Sequence, residues 1–257
     1  MLTADQINQA ASHFVHARRT STPGLMLPEV CRAKDNDSAL AIQRRTLELL
    51  GENIGGWKCG VPNPTLIIAP LTASSIVRST QIGSTPCAVP PPIGLIEPEI
   101  AFVMARDLPA RAAPYSDAEI RGAIGEAHMV LELLGSRFAD RLSAAPLDML
   151  SDMYNNYGLL VGPKIENVFD LSLEKLHVTI RTDDKVLFEA DRPHPSGHPM
   201  KAFTWLVHFL NQHGEGVQAG QTITTGSYAG IVEAPIGTPL HVELGGVGVL
   251  NTTLVPR

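Results

Sequence analysis

Two glutamates interrupt an otherwise apolar run in the first half of the chain. Glu97 and Glu99 lie in residues 95–104, where every other residue is aliphatic, aromatic, methionine or proline. Glutamate is depleted in β-strands, and burying a carboxylate without a partner is energetically costly. Because residues i and i+2 of an extended segment point to the same face, the segment predicts a strand from which both carboxylates project together.

Two interpretations of this pair stay open on the local sequence. One is an edge strand with a solvated polar face, and Pro98 favours it because proline in sheets is confined to edges and bulges. The other is a site for a hard divalent cation such as Mg²⁺ or Mn²⁺, which takes oxygen ligands and holds like charges together. Glu132 favours the cation site, because it is another single acid in an apolar run, residues 129–134.

The composition is that of a globular protein. The 257 residues can bury a sizeable core, and 44% of them are hydrophobic. A net charge of −6 without a basic block argues against nucleic acid as a partner. No apolar stretch reaches the roughly 18 residues of a membrane span, so we expect no membrane partner. The N-terminus lacks a signal-peptide pattern and the three cysteines form no C-x-x-C pair, which favours a cytoplasmic protein with reduced thiols.

The N-terminal part of the chain predicts two helices. Thr3 and Gln6 form a capping-box pattern, and apolar residues recur behind it at helical spacing. A second helix is predicted over residues 37–50, because apolar residues repeat over a polar background and Gly51 is a natural stop.

After residue 50 the pattern of apolar residues is no longer helical. Short apolar runs separated by Pro and Gly predict mostly strands. Helices at the start followed by strands indicate an α+β fold rather than an alternating βαβ one. We expect residues 1–50 to be a helical segment packed on the core and residues 51–257 to be the metal-binding catalytic domain, the two forming one structural unit.

Four further segments are assigned from local patterns. A helix capped by Ser116 is predicted to run to about Leu134, passing into a strand near Val130. His198 directly precedes another predicted helix, and we expect it to be a helix cap or a core hydrogen bonder. The remaining elements are a stiff extended connection, a hairpin and that last helix, over residues 86–92, 176–190 and 199–213 in that order.

Several segments occur together in the order that one known family shows. They are residues 56–60 (GWKCG), 97–102 (EPEIAF), 131–137 (LELLGSR) and 197–206 (GHPMKAFTWL). On these segments the chain resembles the 2-keto-4-pentenoate hydratase / 4-oxalocrotonate decarboxylase family, within the fumarylacetoacetate hydrolase superfamily. The resemblance extends from the second predicted helix to the C-terminus. It implies a mixed, strongly curved β-roll with N-terminal and flanking helices, and subunits that assemble into a homo-oligomer.

The resemblance also implies a metal-dependent reaction. The positions matching the family's Mg²⁺ or Mn²⁺ ligands are Glu97, Glu99 and Glu132, in agreement with the interpretation reached from the residues alone. The implied reaction adds water to a small-molecule 2-hydroxy-2,4-dienoate, giving a 4-hydroxy-2-oxo acid through a metal-stabilised enolate. Decarboxylation of a 2-oxo-dicarboxylate and C–C hydrolysis of an acylpyruvate stay open. So does a catalytically weak partner subunit in a hydratase–decarboxylase complex.

Two residues are candidates for catalysis. Lys58, between Trp57 and Cys59 in an apolar stretch, is expected to be partly desolvated, which would lower its pKa and suit it to carrying a proton. The alternative for Lys58 is a strand-end lysine whose ammonium reaches water. Asp152 matches an aspartate of the family and is expected to orient water or relay protons, with an aspartate on a helix surface as the alternative.

Four residues are candidates for substrate binding. Arg137 could neutralise a substrate carboxylate because guanidinium groups suit carboxylates, although a structural ion pair explains it equally well. Ser136 could hydrogen-bond the substrate or a ligand. Thr225 and Ser227, in a glycine-containing segment, could bind the substrate carboxylate or form a plain turn. Met153 stands where the family often has asparagine, which leaves the substrate open.

Overall fold

The computed structural model describes residues 1–79 and 85–257. The α-helices in this part of the chain are α1 (Ala4–Thr20), α2 (Asn36–Leu50), α3 (Asp117–Ala123), α4 (Pro146–Ser151) and α5 (Pro199–Gln212). The strands are β1 (Ile54–Gly60), β2 (Ile67–Thr72), β3 (Ile76–Arg78), β4 (Thr85–Val89), β5 (Gly94–Met104), β6 (Ile124–Leu134), β7 (Asn156–Lys164), β8 (Lys175–Arg181), β9 (Val186–Pro193), β10 (Thr222–Thr224), β11 (Val232–Ala234), β12 (Pro239–Leu244) and β13 (Gly248–Pro256).

These strands form two sheets. The larger has the order β2-β1-β10-β5-β6-β7-β3, and β11 also pairs with β5. It curls into a half-barrel, which confirms the mixed and strongly curved α+β fold expected from the sequence. The smaller sheet has the order β4-β13-β12-β8-β9. Strand β5 lies inside the larger sheet and pairs antiparallel with β6 along its length, so the glutamates of β5 belong to the interior of the fold.

The two N-terminal helices begin and end as predicted. The Thr3 side chain accepts a hydrogen bond from the Gln6 backbone N–H at 3.3 Å, and Gln6 Oε1 accepts one from the Thr3 N–H at 2.8 Å. Gly51 ends α2 with a left-handed φ of 70°, which glycine adopts without steric cost. Phe14 of α1 and Ile42 of α2 are buried in the same apolar core as the strands. The division at residue 50 stays a prediction.

Pro98 does not mark an edge strand, so that interpretation of the glutamate pair is wrong. One side of β5 is fully paired with β6, while on its other side β11 pairs with residues 94–96 and β10 with residues 101–103. Between those two stretches the ladder is interrupted. A proline is tolerated there because no regular ladder runs past it on that side. The interruption also lets the chain between β10 and β11 approach the glutamates.

Two local assignments needed correction. The helix predicted from Ser116 ends at Ala123 as α3, and β6 starts at the next residue, well before Val130. Residues 124–134 form this strand because they pair with β5, and tertiary pairing overrides the local helical pattern. The proline-rich connection contains a strand as well, since β4 pairs in parallel with β13 at the edge of the smaller sheet.

Other local assignments are confirmed. Strands β8 and β9 form the expected hairpin, closed by a hydrogen bond from the Thr182 N–H to the Lys185 carbonyl at 2.8 Å. His198 is the N-cap of α5, where its Nδ1 accepts from the Met200 N–H at 3.0 Å. No helix in the described part of the chain is long and apolar enough to cross a membrane.

Strands β1 and β10 approach each other so closely at Gly56 that we expect this position not to tolerate a side chain. A Cβ at Gly56 would lie 1.9 Å from the Thr222 carbonyl oxygen, whereas a Cβ at Gly60 on the same strand meets only Ile67, at 3.6 Å. Gly56→Ala should lower the free energy of unfolding by about 3 kcal/mol. The matched variant Gly60→Ala should change it by less than about 1 kcal/mol. Urea denaturation measures both, and equal effects would contradict this contact.

Candidate metal centre

Strand register brings three carboxylates to one point. Glu97 of β5 lies directly opposite Glu132 of β6, and Glu99 lies two residues further along β5 on the same face. Each of the three offers a carboxylate oxygen, and these oxygens all lie within 4.8 Å of one another. Like charges directly opposite on neighbouring strands are destabilising without a compensating cation. The cluster predicted from the sequence is therefore present as a geometric unit.

The cluster is buried on one side and open on the other. Glu99 and Glu132 are 1% and 0% exposed, while the Glu97 side chain is 15% exposed. Burial raises the pKa of Glu99 well above its usual value, and the neighbouring charges of Glu132 and Glu97 raise it further. Burial also raises the pKa of Glu132, against the opposing effect of Lys58. Among the three carboxylates, that of Glu97 is the most accessible to a ligand.

The Lys58 ammonium lies among these carboxylates. Its Nζ is 2.9 Å from Glu132 Oε2 and 3.3 Å from Glu97 Oε2. The expectation that burial gives Lys58 a lowered pKa is wrong. Burial does lower the pKa, but the charges of Glu132, Glu97 and Glu99 together outweigh it and raise the pKa above its usual value. Lys58 is therefore a charged ammonium that partly compensates the cluster.

Neutral donors hold the two buried ligands in place. The Gly226 N–H donates to Glu99 Oε2 at 2.8 Å, across the interruption in the β5 ladder. Asn156 Nδ2 donates to Glu132 Oε1 at 2.8 Å. Neither residue was identified from the sequence, although Asn156 is a buried amide that opens an apolar strand, a usable signal. Hydrogen bonds of this kind, made to a metal ligand by residues that do not bind the metal, orient the ligand.

Three consecutive residues beside the site have a left-handed backbone. Met153, Tyr154 and Asn155 have φ values of 54°, 49° and 59°. Side-chain-bearing residues pay roughly 1–2 kcal/mol each for this conformation, so neighbouring contacts must hold it. The Tyr154 carbonyl accepts from Lys58 Nζ at 3.4 Å. Met153, in the position of the family's asparagine, is buried with its Sδ 3.2 Å from an Arg18 nitrogen, so it packs away from the carboxylates.

The residues present suit a hard divalent cation. Glu132 Oε2 is buried with the Lys58 ammonium as its partner, at 2.9 Å. One ammonium does not balance three ionised carboxylates, and a buried excess of negative charge is costly unless a cation compensates it. The three acids supply only oxygen atoms, which Mg²⁺ and Mn²⁺ prefer and softer metals do not. The donor set therefore fits the expected metals.

Arg137 and Asp152 form a buried ion pair. Arg137 donates through Nε to Asp152 Oδ1, through its backbone N–H to Oδ2 at 3.0 Å, and through Nη1 to the Asn156 carbonyl at 2.8 Å. Both side chains are at most 2% exposed. For Arg137 the geometry favours the structural ion pair over substrate binding. For Asp152 the alternative of an aspartate on a helix surface is wrong, because its side chain is buried, and its role in orienting water or relaying protons stays a prediction. The pair fixes the chain that leads into Asn156.

The hydroxyls predicted to bind substrate are already engaged. Thr225 Oγ1 donates to the Ile100 carbonyl at 2.7 Å, Ser227 Oγ donates to the Gly230 carbonyl at 3.2 Å, and Ser136 Oγ accepts from the Phe138 N–H at 3.0 Å. Their substrate contacts stay predictions, although each hydroxyl has a local structural partner.

The hydroxyl of Thr224, unlike these three, has no hydrogen-bond partner among the described residues. Thr224 is the register partner of Lys58 and shares its face of the sheet. Its Oγ1 is buried without a hydrogen-bond partner in the described residues. The sequence reasoning missed Thr224, because nothing local distinguishes it from the buried strand threonines around it.

The chain is similar over its whole length to the 2-oxo-hept-4-ene-1,7-dioate hydratase of Escherichia coli. The two are 26% identical over 278 residues, which cover 99% of this chain and 97% of the relative. No model of a known protein family matches the chain.

Solved structures show the same fold. A 4-oxalocrotonate decarboxylase from Pseudomonas putida G7, complexed with magnesium and adipate, has a TM-score of 0.81 and 20% identity, covering 99% of each chain. A fumarylpyruvate hydrolase from Pseudomonas aeruginosa, in complex with Mn²⁺ and pyruvate, has a TM-score of 0.55 and 11% identity, covering 78% of this chain and 89% of that one.

The fold of the chain is that of these solved structures. The full-length similarity to the hydratase supports the family resemblance carried by the sequence segments. The cluster of three carboxylates in this fold is able to hold a metal ion.

The buried ion pair gives a stability prediction. Arg137→Met leaves Asp152 charged and unpaired in the interior, so the free energy of unfolding should fall by about 3–5 kcal/mol. Arg45→Met, which removes the exposed pair with Glu48, should cost only about 0–1 kcal/mol. Guanidinium denaturation compares the two variants. A small loss in Arg137→Met would indicate that Arg137 is held for binding rather than for structure.

Proposed function

We propose that the chain is a divalent-metal-dependent hydro-lyase that adds water to a 2-hydroxy-2,4-dienoate and forms a 4-hydroxy-2-oxo acid. The observation that carries the proposal is the cluster of Glu97, Glu99 and Glu132 around the Lys58 ammonium, buried except toward Glu97. The hydratase name of the full-length relative supports this reaction over the others of the family.

The three glutamates are the proposed ligands of Mg²⁺ or Mn²⁺. An ion held there supplies a Lewis acid that stabilises negative charge on the 2-oxygen of the substrate. The protein's part is positional: Gly226 and Asn156 fix the two buried carboxylates, and Glu97 faces the opening. Glu97, the most exposed of the three, would face an entering substrate and position it by its carboxylate and 2-oxygen at the cluster.

Lys58 is the proposed proton carrier. Its Nζ holds a proton beside the carboxylates, 11% of the side chain is exposed, and the Tyr154 carbonyl fixes its direction. From that position the ammonium can donate a proton to a bound dienol and stabilise negative charge nearby. Thr224 Oγ1, buried and unpaired on the same face, is a further hydrogen-bonding group for water or substrate.

Decarboxylation of a 2-oxo-dicarboxylate is the second candidate function. The decarboxylase from Pseudomonas putida shares the fold over 99% of both chains, so the same site is compatible with that reaction. The fumarylpyruvate hydrolase overlaps less, with a TM-score of 0.55, and C–C hydrolysis ranks below the other two. Self-assembly, a hydratase–decarboxylase complex and a cytoplasmic location stay predictions of the family resemblance.

Turnover by the metal-stripped protein tests the reaction. Incubation with 2-hydroxypenta-2,4-dienoate should consume the dienol only after Mg²⁺ or Mn²⁺ is added, and NMR should identify 4-hydroxy-2-oxopentanoate. Glu99→Gln should abolish this turnover, while Glu166→Gln, which alters a 75% exposed side chain, should retain it. An untouched dienol together with metal-dependent CO₂ release from an oxo-dicarboxylate would replace the hydratase assignment by the decarboxylase one.

Lys58→Met separates proton transfer from metal binding. Loss of a positioned proton carrier should lower kcat by roughly 10²–10⁴-fold. Mn²⁺ binding should persist, because the three carboxylates remain and a competing cation has gone. Lys164→Met, at a lysine whose side chain is 46% exposed, serves as the control and should leave kcat unchanged. Unaltered turnover in Lys58→Met would exclude Lys58 from the chemistry.

A further inference from the structure

A cavity of about 510 Å³ lies behind the metal centre. Leu133 of β6 and Gly158 of β7 are register partners and both line it. Since Glu132 directly precedes Leu133 in the strand, its side chain projects from the opposite face of the sheet. At this point of the sheet the cavity and the Glu132 side chain therefore lie on opposite faces, and none of the three carboxylates lines the cavity.

The charges lining this cavity are unbalanced. Three arginines line it, Arg18, Arg19 and Arg257, against a single acid, Glu52. Glu52 Oε1 is engaged by the Ser74 hydroxyl at 2.7 Å. In the described part of the chain, none of the three arginines forms an ion pair with a carboxylate. An excess of positive over negative charge is the dominant feature of this cavity, named here the arginine cavity.

Arg18 is the most constrained of the three. Its Nε is buried without a hydrogen-bond partner among the described residues, and Nη2 reaches only Met153 Sδ at 3.2 Å and the Asn156 carbonyl at 3.5 Å. Burial, and after it the nearby charge of Arg137, lower the pKa of Arg18 to about 9. Asp152 cannot compensate both guanidinium groups, because Arg137 already occupies it.

A second unsatisfied donor lines the same cavity. The Tyr157 hydroxyl is buried without a partner in the described residues, and the Arg257 guanidinium lies 5.1 Å from the Tyr157 ring centroid. Guanidinium groups supply only donors, and a phenol hydroxyl is able to donate as well, which suits both to a carboxylate or phosphate. Guanidinium groups bind these planar or tetrahedral oxyanions with two hydrogen bonds at once.

We propose that the arginine cavity is a binding site for a small anion that carries carboxylate or phosphate groups, held by Arg18, Arg257 and the Tyr157 hydroxyl. Its volume falls within the range of small-molecule sites, roughly 300–1,000 Å³. The site lies on the other face of the sheet from the metal centre and does not depend on the proposed reaction. A free phosphate compound and a dicarboxylate share this chemistry, and separate ligands distinguish them.

Anion-dependent thermal unfolding of the metal-stripped protein tests the site. Sodium phosphate and sodium succinate are compared with sodium chloride at matched ionic strength and pH, with a chelator present. The carboxylates of the stripped metal centre repel anions, so they contribute nothing to the response. We expect at least one of the two oxyanions to raise the unfolding temperature in a saturable way beyond chloride, and calorimetric titration to give its affinity.

Three variants link the response to the cavity. Ala88→Glu places a carboxylate at an exposed lining position and should abolish the oxyanion response by occupying the arginines itself. Arg257→Gln removes one charge-assisted contact and should weaken the affinity about tenfold or more. Arg181→Gln alters an exposed arginine of the smaller sheet and should leave the affinity unchanged. All three substitutions are at exposed positions, so we expect the variants to fold, and circular dichroism checks that they do.

Each result decides the proposal. A response to phosphate alone assigns the site to phosphate compounds, and a response to succinate alone assigns it to dicarboxylates. Stabilisation equal to that of chloride, or a response that survives Ala88→Glu, overturns the site. Absence of an oxyanion response together with a changed sedimentation coefficient in Arg257→Gln also overturns it, because the arginines would then contact another copy of the chain.

Discussion

Mutual repulsion among three carboxylates is the constraint on which the rest of the site depends. Glu97, Glu99 and Glu132 lie on one face of two paired strands, with two of them fully buried. Lys58 compensates part of their charge, and Asn156 and other donors satisfy individual oxygens. One ammonium nevertheless leaves the charge of three ionised carboxylates unbalanced. A divalent cation is the ligand that balances both charge and coordination.

The curved sheet makes this arrangement possible. The interruption between β10 and β11 opens one side of β5, which accommodates Pro98 and admits the Gly226 N–H to Glu99. On the other side, the Arg137–Asp152 pair holds the chain that enters β7. The three residues before β7 keep a strained left-handed backbone, and the carbonyl of one of them, Tyr154, accepts a hydrogen bond from the Lys58 ammonium. Functional groups thus sit at the irregular places of an otherwise regular sheet.

Sequence reasoning located the three-carboxylate cluster because strand alternation and lone acids in apolar runs are local signals. It gave the wrong direction for the Lys58 pKa, since that direction depends on three carboxylates brought together by tertiary structure. Gly226 was missed for the same reason, as nothing near it in the chain indicates Glu99. The helix from Ser116 was overextended because pairing with β5, a non-local contact, decides the conformation of residues 124–134.

Direct titration with Mn²⁺, followed by electron paramagnetic resonance, tests the metal centre without assuming any reaction. The metal-stripped protein should bind a single Mn²⁺ per chain, with Mg²⁺ competing for the same site. Glu132→Gln keeps the shape of a buried ligand but removes its charge, and should weaken Mn²⁺ binding strongly while Glu166→Gln does not. Absence of bound Mn²⁺ in the unaltered protein, or equal binding in Glu132→Gln, would contradict the assignment of the three carboxylates as a metal site.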